Sequence, residues 1–216
     1  SLLARGLHVA ITATCHKCIH NLLDAVVEAG RIEGIPVSGV KKSSESAETS
    51  YDGPGFVNLS SNAKCAESAA PIVAGTSWLF AREEMAGQFD YLFVDEAGQV
   101  SLADTLAMSG CARNVVLLGD PQQLPHVTQG IHPDGAGVSI LEHLLGGAAT
   151  VMPDRGIFLE RTWRMHPDLC GFVSGLAYDG RLSAEASCAG QLVQSPGIAG
   201  AGLRFLPVPH AGNSQR

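Results

Sequence analysis

The stretch Tyr91-Leu92-Phe93-Val94-Asp95-Glu96-Ala97-Gly98-Gln99 (91–99) is an apolar run that stops on two acids. A strand that is hydrophobic without alternation is covered on both faces, as in parallel sheets packed between helices. Downstream, Val115-Val116-Leu117-Leu118 runs into Gly119-Asp120-Pro121-Gln122-Gln123-Leu124-Pro125, where the glycine and the prolines fix a stiff loop. Open α/β sheets bind ligands at the carboxyl ends of their strands. Asp95 there can hold magnesium through water, and Glu96 can orient and deprotonate an attacking water. The Gln123 amide can donate to a γ-phosphate oxygen while accepting from a water. Either strand end alone also fits an ordinary solvated turn. Together, at strand–helix–strand spacing, they point to an ATPase.

Outward from this pair the chain keeps alternating. GLHVAIT (6–12) reads as a strand and HKCIHNLLDAVVEAG (16–30) as a helix carrying Ile19, Leu22, Leu23, Val26 and Val27 on one face, stopped at Gly30. IPVSGV (35–40) reads as a strand, and KKSSESAETSYDGPG (41–55) as a polar loop with Lys41-Lys42 solvated. PIVAGT (71–76) is extended, SWLFAREEMAG (77–87) helical, and a helix is expected near 100–109. After the strand NVVLLGD (114–120), VSILEHLLG (138–146) and HPDLCGFVSGLAYDG (166–180) read as helices, GIFLE (156–160) and LRFLPV (203–208) as extended, and 186–202 as a loop. The fold class is α/β, a parallel sheet with helices on both faces.

The 216 residues carry a net charge of -7 with 45% hydrophobic residues, enough for a sizeable core and unlike a whole-surface polyanion binder. A local basic groove remains compatible with that charge. No apolar run reaches membrane-spanning length and SLLARGLHVA is not a signal peptide, so no membrane partner and a soluble, cytoplasmic protein are expected. Cys15-His16-Lys17-Cys18-Ile19-His20 mimics a metal knuckle but lacks the second close pair that zinc uses, so Cys15 and Cys18 are expected as free, metal-free thiols. Cys170, among apolar residues, reads as packing. Arg161 and Arg164 in RTWRMHP (161–167) bring permanent charge and a planar fork suited to phosphate.

DEAGQ at 95–99, GDPQQLP at 119–125 and RTWRMHP at 161–167 resemble motifs II, III and IV of superfamily-1 helicases, in the branch of the up-frameshift RNA helicase and the immunoglobulin-mu-binding-protein helicase. ITATCHKCIHNLL (11–23) is similar to that branch's motif Ia, and IVAGTSWLF (72–80) to the DNA-contact motif that follows it. FDYLFVDEAGQVSLADTLA further resembles bacterial members fused to a RecB-like nuclease domain. The resemblance implies a RecA-like domain of the P-loop NTPase class over 1–150, with an AAA-type ATPase core, and the beginning of a second RecA-like domain over 151–216. It implies ATP and Mg2+ as cofactors, with Asp95 and Glu96 as the magnesium-site and water-activating acids. Gln99, Gln123 and Asp120 then face the nucleotide, Arg164 reaches the γ-phosphate and Trp163 stacks near the adenine. Thr14, Lys17 and Thr76 fall where the family touches the backbone of a single strand, contacts that position without reading sequence. The implied partner is single-stranded nucleic acid, DNA in preference to RNA, with a fused nuclease domain suggested for the parent chain.

One departure stands out. No G-x-x-x-x-G-K-[ST] phosphate loop occurs, and none of Lys17, Lys41, Lys42 and Lys64 follows a glycine. In the family that loop precedes motif Ia, so the chain reads as a piece of a helicase motor that does not hydrolyse ATP by itself. A non-catalytic, nucleic-acid-binding scaffold on the same fold is the competing expectation.

Overall fold

The computed structural model describes residues 1–123, 133, 136–207, 209 and 212. The chain divides into two compact units, Ser1–Gly147 and Ala148–Arg216.

In the first unit, β1 (Val9–Thr12) is buried throughout, which is why its sequence shows no alternation. Helix α1 (His16–Glu33) starts at the Cys15 cap and ends where Gly34 takes the left-handed conformation at φ 69. β2 (Gly39–Lys42) and β3 (Phe56–Leu59) follow, then α2 (Asn62–Ala66), β4 (Ile72–Ala74) and α3 (Ser77–Phe80). β5 (Phe89–Val94), α4 (Leu102–Ser109), β6 (Ala112–Leu117) and α5 (Ile140–Leu145) complete the unit. Ser101 and Ser139 cap α4 and α5 by accepting from the amides of Asp104 and Glu142.

The six strands pair in the order β3-β2-β4-β1-β5-β6, all in parallel. Thr12 lies opposite Val94, and Val94 opposite Leu117, so every strand delivers its carboxyl end to the same edge. Ile19 and Leu23 of α1 pack with Val9, Ile11, Ile72 and Ala74 on one face. The other face buries Ala10, Val73, Leu92 and Val94 against Phe80, Met108 and Ile140. This is the α/β, RecA-like layering with helices on both faces.

Several element boundaries differ from the sequence reading. β2 begins at Gly39 and runs through Lys42, and Gly39 lies so close to β4 that a Cβ there would stand 2.6 Å from the Ile72 carbonyl oxygen. Lys41-Lys42 is therefore strand, and Lys41 is completely buried. The 43–55 segment is no free loop: Tyr51 is 5% exposed, its hydroxyl donates to Asp24 on α1, and its N–H donates to Asn58 on β3. β3 and α2 had no counterpart in the pattern. The helix expected over 77–87 stops at Phe80, and a 3-10 turn at Glu83–Met85 lets Met85 enter the core.

In the second unit, α6 (Pro167–Ala177) opens on the His166 cap. β7 (Arg161–Thr162) pairs in parallel with β8 (Ser183–Ala184), so the extended segment lies just beyond the expected 156–160. Residues 186–202 hold a 3-10 turn and a hairpin, β9 (Val193–Ser195) with β10 (Ile198–Gly200), turned by Pro196 and by Gly197 at φ 82. No strand forms over 203–207, and Val208 lies outside the described residues. Arg181 gathers this unit, donating to Thr150 and Val151 with its guanidinium 4.6 Å from the Phe158 ring centroid.

Candidate functional site

Asp95 and Glu96 follow the last residue of β5, and Leu118–Gln123 follow β6, its parallel neighbour. The two loops are sewn together: the Leu118 N–H donates to the Val94 carbonyl, and the Ala97 N–H to the Leu118 carbonyl. A Cβ at Gly119 would lie 2.8 Å from the Ala97 nitrogen, and one at Gly98 would run into the Asp120 carbonyl oxygen, so glycine is required at both for the loops to close. Gln122 donates its N–H to the Asp120 carboxylate at 2.9 Å, and the Gln123 N–H reaches the Asp120 carbonyl. Gln123 is exposed and Gln99, in the 3-10 turn Ala97–Gln99, is half-buried. Leu124 and Pro125 of this loop lie outside the described residues.

Glu96 takes a left-handed backbone at φ 54, and its N–H donates to the Asp95 carboxylate at 3.0 Å. A non-glycine residue held there costs of order 1–3 kcal/mol, and such residues cluster where function over-determines the backbone. One carboxylate is tied to the backbone beside a strand end and the other is freed from the strand direction. This division suits one acid for a hydrated cation and one for a water. Oxygen donors of this kind are the hard ligands magnesium takes. Beside them the Thr12 hydroxyl is buried and has no hydrogen-bond partner among the described residues.

A second region occupies the same edge at the ends of β2 and β4. Thr76 caps α3 without a side-chain hydrogen bond, and it lines a shallow groove with His16, Lys42, Ser44, Trp78 and Arg82. Trp78 is 83% exposed, an indole face presented to solvent between cations. Thr14 and Lys17 are also exposed, Thr14 just beyond β1 and Lys17 in the first turn of α1. Beneath the groove the Lys41 ammonium donates to His16 Nδ1 at 2.9 Å and to the Lys42 and Thr49 carbonyls. Its three donors are matched, but by no carboxylate. Burial, and then the Lys42 charge, push Lys41 down to about 8. Burial, and then the Lys41 charge, bring His16 down to about 4, so it is a neutral acceptor at ordinary pH.

Sequence reasoning missed Lys41, Lys42, Trp78 and Arg82. The available signal was the exposed-type aromatic Trp78 within three residues of Thr76, with Arg82 one helical turn further. Lys41-Lys42 gave a contrary signal, because two adjacent lysines before a serine run read as solvated. In the second unit Trp163 is 70% exposed and Arg164 is exposed, with its N–H on the Thr162 hydroxyl. Within that unit Arg164 lines a groove with Leu169, Val193 and Arg204. Among the described residues no cluster of three or more His, Cys, Asp or Glu could hold a metal, and no helix is long and apolar enough to cross a membrane.

Residues 40–129 match the family model described as an AAA domain. The chain is 33% identical over 97 residues to the probable helicase MAGATAMA 3 of Arabidopsis thaliana, covering 44% of this chain and 11% of that protein. It is 32% identical over 97 residues to the DNA replication ATP-dependent helicase/nuclease DNA2 of Gallus gallus, covering 44% of this chain and 9% of that protein. The matched stretch thus spans about a tenth of the length of these relatives. In fold, in strand-end chemistry and in sequence, the first unit is similar to the AAA domain of helicases.

Proposed function

We propose that this chain is part of an ATP-dependent helicase motor of superfamily 1 that moves on single-stranded nucleic acid, DNA in preference to RNA. The observation that carries the reading is the pairing of Asp95 and left-handed Glu96 with the Gly119–Gln123 loop at neighbouring strand ends. In this reading Asp95 would hold magnesium through water, Glu96 would orient the attacking water and take its proton, and Gln123 and Gln99 would contact phosphate or water. Asp120 braces the loop that carries Gln123 through the amide of Gln122. Bound magnesium would neutralise charge on the phosphates as the bond breaks. Arg164 and Trp163, on the second unit, are assigned to nucleotide contacts by the same resemblance.

Most triphosphate affinity in such motors comes from a glycine-rich cradle and its lysine. Among the described residues β6 pairs only with β5, and Asn114 and Val115 are exposed along it. That free edge, next to Gly119, supports a further parallel strand bearing the cradle, supplied by other parts of the parent protein. The groove holding Thr76 supports the strand track. Its cations match phosphates and its indole offers a stacking face, in a chain whose net charge of -7 gives no general attraction for polyanions. A name containing nuclease, as in one relative, supports DNA as the track and a fused nuclease in the parent.

The test is the Glu96→Gln substitution in the full-length parent, read by steady-state phosphate release with and without a single strand. The amide keeps shape and hydrogen bonding but loses basicity, so turnover should fall by about two to four orders of magnitude. Binding of a fluorescent ATP analogue should change little, because the lost interaction belongs to the transition state. Unchanged strand-stimulated turnover in the variant would remove Glu96 from the mechanism. A wild-type parent without stimulated turnover would favour a scaffold.

A further inference from the structure

Cys15 and Cys18 stand apart from the other cysteines. Cys65, Cys111, Cys170 and Cys188 are buried at 0%, 1%, 1% and 3% exposure, whereas Cys15 is exposed and Cys18 half-buried. Cys15 is the cap of α1, a helix of 18 residues, with an extended backbone at φ -146 and ψ 160. The Cys18 N–H donates to the Cys15 sulfur at 3.2 Å, and the two sulfurs lie 2.8 Å apart. One exposed sulfur at the N-terminus of a long helix thus accepts from the Cys18 N–H and shares a hydrogen bond with the Cys18 thiol, in which either sulfur can be the donor. The motor reading uses neither residue.

We propose that Cys15 and Cys18 form a reversible dithiol–disulfide site, with Cys15 as the attacking thiol and Cys18 as the resolving one. The oxidant class is a hydroperoxide. The Cys15 thiolate attacks the peroxide; an S–O bond forms, the O–O bond breaks, and the departing oxygen leaves as water or alcohol after taking a proton. The Cys18 sulfur then attacks the Cys15 sulfenic acid. An S–S bond forms, the S–O bond breaks, and hydroxide leaves with the Cys18 proton as water. Two thiols lose two electrons and two protons, and the peroxide takes up both. Only the sulfurs must close the remaining gap of under about 1 Å to bond length. The order of roles follows from access and from protonation. Burial, and then the hydrogen bond to Cys15, push Cys18 up to about 11, so it keeps its proton until the sulfenic acid has formed.

The location gives the bond a consequence. Cys15 and Cys18 bracket Lys17 and adjoin Thr14, and Cys18 is near enough to Glu96 to sense its charge. If the motor reading holds, a disulfide would pin the segment that carries both strand contacts beside the water-activating acid. The chemical site does not depend on that reading.

The test treats the 216-residue chain with stoichiometric hydrogen peroxide, followed by alkylation and peptide mapping. The expected product is an intramolecular Cys15–Cys18 bond, a loss of about two mass units that a dithiol reductant reverses. Cys18→Ser should stop at a Cys15 sulfenic acid that a cyclic 1,3-diketone traps. Cys15→Ser keeps a capping oxygen, so α1 stays intact, and it should abolish the fast reaction. Oxidation spread evenly over the six cysteines, or a Cys15–Cys15 bond between two chains as the main product, would overturn the proposal. Should the disulfide form while strand binding by the full-length parent is unaffected, the site stands and its link to the motor fails.

Discussion

Replacing Lys41 by methionine removes a buried ammonium while leaving the side-chain volume nearly unchanged. The native amine is completely buried and donates to His16 Nδ1, the Lys42 carbonyl and the Thr49 carbonyl. Orphaning those acceptors costs about 1–3 kcal/mol each at most, and removing an unpaired buried charge gives back a comparable amount. The neutral-pH difference is therefore a poor discriminator, and its pH dependence is a good one. Lys41 is held at about 8 against an ordinary 10.5. Below about 8 both folded and unfolded chains carry the proton and the burial cost is complete. Above it the folded chain sheds the proton while the unfolded chain keeps it. The unfolded state then binds more protons, so stability rises with pH across this window. The full shift is worth about 3 kcal/mol, of which about 1.4 kcal/mol accrues between about pH 7 and about pH 9.

Other groups push the opposite way. The thiols of Cys18, Cys65, Cys111 and Cys170 are raised by burial, so in alkali the unfolded chain ionises first and stability falls. For Cys18, Cys111 and Cys170 that slope is common to both proteins and cancels in the difference; the Lys41 charge holds Cys65 lower than burial alone would, so its part is steeper in the variant and adds with the same sign. Urea unfolding of wild type and Lys41→Met at about pH 7, 8 and 9 should show the wild type gaining on the variant by about 1.4 kcal/mol. A difference that stays constant would refute the picture of an uncompensated cation under the groove.

Two further outcomes follow from the same edge. Glu96→Gly relieves about 1–2 kcal/mol of left-handed strain against about 0.5–1 kcal/mol of added chain entropy, so it should be more stable than Glu96→Ala by about 0.5–1 kcal/mol in urea unfolding; equal midpoints would show that Glu96 is not strained. Trp78→Ala should weaken single-strand binding by about tenfold to a hundredfold in fluorescence anisotropy, with an unchanged unfolding midpoint because the indole is 83% exposed; full retained affinity would take Trp78 off the track.

The parallel sheet was legible because its strands are buried on both faces, so that VAIT, IVA and FDYLFV show as apolar runs without a polar register. The acid pair was legible because it ends such a run. β3 was not, since Phe56–Leu59 sits at the outer edge and carries exposed Val57 and polar Asn58 among half-buried residues. Lys41 was illegible for a different reason. Its burial depends on acceptors from His16 and Thr49, at sequence separations of 25 and 8, which no local pattern encodes. Tyr51 reads as a loop residue until Asp24 on α1 and Asn58 on β3 are seen to hold it.

Three features of the first unit that cost stability share one edge of its sheet. Among the described residues, Lys41 is a buried cation without a carboxylate, Thr12 is a buried hydroxyl without a partner, and Glu96 is a left-handed non-glycine residue. They sit on three different strands or strand ends, and all three lie at the carboxyl edge of the sheet. The amino edge collects no comparable set among the described residues. Natural chains keep local rules where only folding is at stake and break them where function demands it. These departures support the function proposed for that edge, without reference to motif wording. The kinds of departure agree with the chemistry proposed there: an uncompensated positive charge attracts phosphate, and a strained turn aims a carboxylate. The Lys41 and Glu96 variants measure the two costs separately.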